Sequence, residues 1–222
     1  MSSALPPSSE LWGTLGKISQ YDLVFFPCDF GSTITEPAIP QNGVTNVQAY
    51  LDVGGRVFLT HGGGKWLKEN APTPYPNLIQ FNVQSDPPSP LSSLVDMSFP
   101  KGKIFAEWLL ATGVSKKLGE VDVVSPQWYV DSVSAPAQTW IASTSPVTVQ
   151  HFTFNLPIAA PDDKKCGRAL FSNFHVKQPP SNAQFPAHCT DVKDPLTTNE
   201  KIIEYMLFDT SGCVQPDSQP PK

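Results

Sequence analysis

Two stretches of this chain share one pattern: an arginine, a short apolar run, and a histidine where the run ends. They are Arg56-Val-Phe-Leu-Thr-His61 and Arg168-Ala-Leu-Phe-Ser-Asn-Phe-His175. Runs this short and this continuously apolar are expected of strands buried on both faces, as parallel strands are. If both lie parallel in one sheet, both imidazoles emerge at its carboxyl edge, where open α/β folds hold their ligands. His61 and His175 are therefore the first candidate site residues.

The remaining segments alternate in the way such a sheet requires. Residues 22–27 (Asp-Leu-Val-Phe-Phe-Pro) read as another buried strand, and Val44, Val47, Tyr50 and Leu51 recur at helical spacing before Gly54-Gly55 stops the helix. Lys65 to Lys68 begins a short helix, and Leu78 to Val83 is a further strand. Ser98 is placed to cap a helix bearing Ile104, Phe105, Trp108 and Leu109 on one face. Val121–Val124, Thr139–Ser143 and Val147–Phe154 read as strands separated by Pro136 and Pro146. Thr197-Thr-Asn-Glu200 is a capping box that opens a helix through Ile202, Ile203, Met206 and Leu207. The expected fold class is α/β: a doubly wound, mainly parallel sheet with an antiparallel excursion around 121–155. It forms a single domain over 21–213, with an N-terminal extension over 1–20 that could hold a helix and a disordered proline-rich tail over 214–222.

Composition excludes several function classes. At 222 residues the chain can bury a real core without metals or staples, and it has no apolar run of the ~18 residues that a membrane span needs. Its 15 Lys and Arg are scattered singly in a chain of net charge −5, so no footprint for nucleic acid or anionic lipid forms. The 24 prolines, about twice the usual ~5%, mark rigid, irregular connections. Oligomeric state is not legible.

The four cysteines, Cys28, Cys166, Cys189 and Cys213, show no C-x-x-C spacing. They allow three pairings. Cys28 and Cys189 are both expected at the carboxyl edge and Cys166 and Cys213 at the opposite one, so topology favours Cys28–Cys189 and Cys166–Cys213, each worth roughly 2–4 kcal/mol. Four inert thiols are the alternative. Disulfides imply an oxidising compartment, extracellular or periplasmic, yet Met1 to Trp12 has neither a basic nor an apolar region of a secretion signal. Either a signal has been removed, the chain is a fragment, or it stays inside with reduced cysteines.

The sharpest local motif is His61-Gly-Gly-Gly64. Glycines directly after a strand let backbone N–H groups approach a ligand without a Cβ in the way. The four residues resemble the HGGG oxyanion loop of lipases and esterases. That fold also needs a G-x-S-x-G elbow, and Gly113-Val-Ser115 is followed here by Lys116-Lys117. A tight strand-to-helix turn accounts for the glycines equally well.

A broader resemblance covers roughly residues 20–210. The opening Tyr21-Asp-Leu-Val-Phe-Phe, then Val47 through Gly54-Gly55 to His61, and the late Gly167-Arg-Ala-Leu-Phe-Ser-Asn-Phe-His175 resemble the ThuA-like proteins of the class I glutamine-amidotransferase-like superfamily. The chain is also similar to uncharacterised secreted modules of myxobacterial type. This resemblance implies a flavodoxin-like, amidotransferase-like sheet and a ligand at its carboxyl edge. It does not carry amidotransferase chemistry across. The turn that holds the nucleophilic cysteine in those enzymes has His61, and Lys177 stands two residues after His175, where their orienting glutamate belongs. The family's first strand is also expected to be missing.

Around the two histidines, further residues are candidates by position. Asp29 could serve with His61 and His175 as a catalytic carboxylate, while Gly62, Gly63, Trp66 at the rim and Asp131 could contact a ligand. His61, His175, Asp29 and His151 offer donors that zinc or iron tolerates, but no spacing demands a metal, and no cofactor is expected. Cys28 could be a nucleophile, although its disulfide role is favoured. Two functions follow. One is a secreted or cell-envelope module without the cysteine nucleophile, binding a carbohydrate, small molecule or envelope ligand. The other is a hydrolase-like enzyme using His61 and His175 with Asp29 or a bound metal.

Overall fold

In the computed structural model, both apolar runs are neighbouring strands of one sheet. The structure describes residues 7–28, 39–68, 75–82, 84–176, 196–212 and 214–220. In chain order its elements are α1 (Ser9–Trp12), α2 (Leu15–Ile18), β1 (Leu23–Phe26), α3 (Gln41–Asp52), β2 (Arg56–Thr60), a 3-10 turn (His61–Gly64), α4 (Lys65–Lys68), α5 (Tyr75–Leu78) and β3 (Ile79–Phe81). There follow β4 (Leu91–Val95), α6 (Pro100–Ala111), β5 (Glu120–Val123), β6 (Val130–Val133), β7 (Gln138–Thr144), β8 (Val147–Leu156), a 3-10 turn (Asp162–Lys164), β9 (Gly167–Ser172) and α7 (Thr198–Ser211).

Seven strands form the main sheet in the order β1-β2-β9-β8-β7-β4-β5, while β3 and β6 pair separately. β1, β2 and β9 are parallel, in a register that sets Arg56 beside Arg168 and Thr60 beside Ser172. From β9 outward each strand runs antiparallel to its neighbour. The α/β class and the antiparallel excursion are present. That excursion begins at β4, earlier in the chain than the sequence indicates.

Side-chain alternation explains why both faces need a helical cover. Val57 and Leu59 of β2 point with Ala169 and Phe171 of β9 into one core, where Ile18, Val44, Val47, Tyr50 and Leu51 of α2 and α3 meet them. Phe58 and Leu170 point into the other, against Phe105 and Leu109 of α6 and Ile202 and Met206 of α7. Burying each large side chain contributes roughly 1.5–3 kcal/mol, so two apolar faces make this strand pair the thermodynamic centre of the fold. No helix among the described residues is long and apolar enough to cross a membrane.

Three expectations change. Ser98 does not cap α6; its N-cap is Phe99, and Pro100 at the first helical position has no N–H that would require a cap. The N-terminal segment is part of the domain, since Ile18 is wholly buried and Asn46 Nδ2 donates to the Trp12 carbonyl at 3.1 Å. Nor is Val214–Pro220 a disordered tail. Asp217 lies 2.9 Å from the buried Arg168 guanidinium and 3.6 Å from Lys101 Nζ, beside Asp209, which pairs with both cations. Two cations buried against two carboxylates compensate one another, and this pins the C-terminal segment to the amino edge. Arg56 belongs to the same edge, donating from Nη2 to the Gly212 carbonyl at 2.9 Å.

Candidate functional site

Three adjacent parallel strands deliver three side chains to the carboxyl edge. Cys28 follows β1 by two residues, His61 follows β2 directly, and His175 follows β9 by three. They meet. His61 Nδ1 lies 3.0 Å from His175 Nε2 and 3.1 Å from Cys28 Sγ, so one ring nitrogen faces both of its neighbours. The imidazoles are set edge to face at 4.9 Å, and the Tyr129 ring meets His61 at 5.9 Å.

The backbone holds this cluster by several independent means. His61 adopts φ 33°, a left-handed conformation that costs a non-glycine residue about 1 kcal/mol or more and tends to persist at functional sites. The glycines after it leave room for close packing. A Cβ on Gly63 would come within 2.7 Å of the Phe26 carbonyl oxygen, and one on Gly64 within 2.7 Å of Tyr129 and 2.8 Å of Phe171. These glycines therefore seat the turn against β1 and β9. His175 is fixed by its N–H, which donates to the Ser125 carbonyl at 3.1 Å, and by its carbonyl, which accepts from Asn199 Nδ2 at 2.6 Å.

Burial sets the charge state. It lowers the pKa of His61 to about 4, reinforced by the His175 ring and opposed by Asp86. Burial lowers His175 as well, again against Asp86. Both rings are thus neutral near pH 7, with lone pairs available to a proton or a cation.

The other predicted residues fare differently. Gly62 is buried in the turn with Gly63. Trp66 is not at a rim: it is 6% exposed and packs on Phe26 at 4.5 Å and Trp12 at 5.5 Å, because α1 covers it. Asp131 accepts from Asn82 Nδ2 and Trp128 Nε1, each at 2.7 Å, so both oxygens are engaged within the β3–β6 layer. His151 is wholly buried on β8, 2.8 Å from Ser172 Oγ and apart from the cluster. Asp29, Cys189 and Cys213 lie outside the described residues. No disulfide joins described residues, and each expected bridge has one end outside them; Cys166 is exposed. The sequence placed Cys28 at this edge and allowed it as a nucleophile while favouring a disulfide to Cys189; the structure sets its Sγ against His61.

Comparison with known proteins adds little to this geometry. No family model matches the chain, and no curated protein does. Among solved structures, the chain is similar to a protein described as ThuA-like from Bacteroides uniformis, at TM-score 0.48 and 10% identity over 77% of this chain and 65% of that one. It is also similar to the N-terminal domain of mmIFT52, at TM-score 0.48 and 12% identity over 91% of this chain and 82% of that one. A third is a cytoplasmic protein from Salmonella typhimurium, at TM-score 0.43 and 12% identity over 76% and 64%. The chain spans just under two thirds of the first and third of these proteins. These are likenesses of chain trace, and no activity comes with them.

Proposed function

We propose that the chain is a hydrolase-like enzyme whose site is the carboxyl edge of β1, β2 and β9. One observation carries this reading: Cys28, His61 and His175 converge on a single nitrogen, with His61 held in a left-handed backbone conformation. Of two neutral imidazoles in contact, one can take a proton from a reacting group and the other can hold it in orientation through its remaining ring nitrogen, and a thiol beside them adds a nucleophile or a ligand.

The reading as a module that binds a carbohydrate or envelope ligand, the first of the two drawn from the sequence, is favoured less here because Trp66 is buried and Asp131 is engaged within the β3–β6 layer. Location outside the cytoplasm remains a proposal that rests on the cysteine pairing, and kinship with secreted myxobacterial-type modules rests on sequence resemblance.

The test is a panel of chromogenic esters, amides, phosphoesters and glycosides, assayed with the purified chain and with Cys28→Ser, His61→Ala and His175→Ala. The expected result is turnover of one class, reduced at least about 100-fold in each variant while the melting transition is kept. Turnover of no class, or turnover indifferent to all three substitutions, would refute the proposal.

A further inference from the structure

We propose that Cys28 Sγ, His61 Nδ1 and His175 Nε2 bind one zinc ion, as a three-ligand site with its fourth position open to water or substrate. This deepens the hydrolytic reading of the same edge and rests on it only for the use of that fourth position.

Geometry is the first support. The three donor atoms all lie within 4.8 Å of one another. Ligands around a tetrahedral zinc, at about 2.0–2.3 Å from the metal, stand roughly 3.3–3.6 Å apart. The two separations at His61 Nδ1, 3.1 and 3.0 Å, need to open by a few tenths of an ångström, while the third, from Cys28 Sγ to His175 Nε2, lies within 4.8 Å and must settle at about 3.5 Å.

Proton counting is the second. A ring nitrogen in the plane of its imidazole carries either one proton or one lone pair. His61 Nδ1 faces both Cys28 Sγ and His175 Nε2, and with one proton or one lone pair it makes a full hydrogen bond to only one of them at a time. A cation at the centre of the triangle removes this conflict. Each nitrogen then gives its lone pair to the metal, and the thiol gives up its proton to solvent and binds as thiolate.

Donor chemistry selects the ion. Thiolate with two imidazoles favours zinc and its borderline-soft neighbours over magnesium or calcium, which take oxygen ligands. Three protein ligands with a vacant fourth position is the pattern of catalytic zinc, where a bound water ionises near pH 7. Preorganisation is present too. His61 is fixed by the glycine turn packed on β1, and His175 by hydrogen bonds to Ser125 and Asn199.

The test uses the full chain, purified with reductant and stripped of metal, with zinc chloride and then cobalt(II) chloride as probes. Metal analysis should give one zinc per chain, and cobalt should show a thiolate charge-transfer band in the near ultraviolet with the intense visible bands of tetrahedral coordination. Cys28→Ser should lose the charge-transfer band, and His61→Ala and His175→Ala should each weaken zinc binding at least about 100-fold. Wild-type cobalt spectra without a thiolate band, or zinc binding equal in wild type and the triple variant, would overturn the site. Because the cobalt spectrum is read on the unaltered chain, a variant that fails to fold does not decide the matter. The two proposals can fail separately. Residue-dependent turnover together with cobalt spectra that lack the thiolate band would leave the hydrolase and remove the zinc, whereas tight stoichiometric zinc without turnover would do the reverse.

Discussion

Asn199, the second residue of α7, donates through Nδ2 to the carbonyl of His175 at 2.6 Å, while its Oδ1 accepts from the Val124 N–H at 3.1 Å. Its amide also donates to the Val124 carbonyl. One buried side chain thereby ties the helix start to the ends of two strand segments. Asn199→Ala leaves three backbone groups without these partners, and a loss of roughly 1–3 kcal/mol is expected. Urea denaturation would measure it, and the His175 ring resonances should shift in the folded variant.

Both turn substitutions Gly64→Ala and Gly63→Ala should be damaging. The methyl added at Gly64 would meet the Tyr129 and Phe171 rings, which are themselves buried and packed, so no flexible chain end can give way. A cost of about 1–3 kcal/mol follows from overpacking. Gly63→Ala meets the rigid Phe26 carbonyl instead and should separate Cys28 from His61. A thermal melt of each, with the reactivity of Cys28 as a second readout, checks both expectations.

Asp217→Asn tests the anchoring of the C-terminal segment. The substitution leaves Arg168 and Lys101 buried with Asp209 as the remaining carboxylate, and about 2–4 kcal/mol should be lost. Asp209→Asn should cost a similar amount. The double variant should depart from additivity, because the two acids share the same cations.

His151 should be the largest single source of acid sensitivity, with His61, lowered to about 4, and His175 adding to it over the upper part of the same range. Burial, with the positive field of Arg168 adding to it, lowers His151 to about 3. The unfolded chain binds the proton near pH 6.5 and the folded chain does not, so stability present above pH 6.5 is lost progressively down to about pH 3. On the order of 2–4 kcal/mol is at stake. His151→Gln removes the titrating group, and its denaturation midpoint should fall less steeply with pH over this window than that of the wild type.

What the sequence made legible was whatever depends on hydrophobic pattern along one segment. The runs at Val57 and Ala169 had to be buried on both faces, and that alone put His61 and His175 at one edge. β4 was not seen because Ser92 and Ser93 break up an apolar pattern that shows only as Leu91, Ser93 and Val95 facing inward. β6 was missed for the same reason, with Asp131 and Ser132 inside it. Trp66 was misplaced because its burial depends on Trp12, more than fifty residues away and assigned to an extension. The ion cluster around Arg168 likewise depends on Asp209 and Asp217, which only tertiary packing brings there.

Pairing β2 directly with β9 has a kinetic consequence. During synthesis the first half of this carboxyl edge, with Cys28 and His61, emerges long before its completing strand, and the His61–His175 contact spans 114 residues. Until β9 is made, one flank of β2 offers unpaired backbone beside an apolar surface on each side. Loop closure over that distance makes such pairings slow and leaves the nascent intermediate open to association. The β2–β9 register is the one that brings Cys28, His61 and His175 together, so the cluster exists only once this long-range pairing has closed.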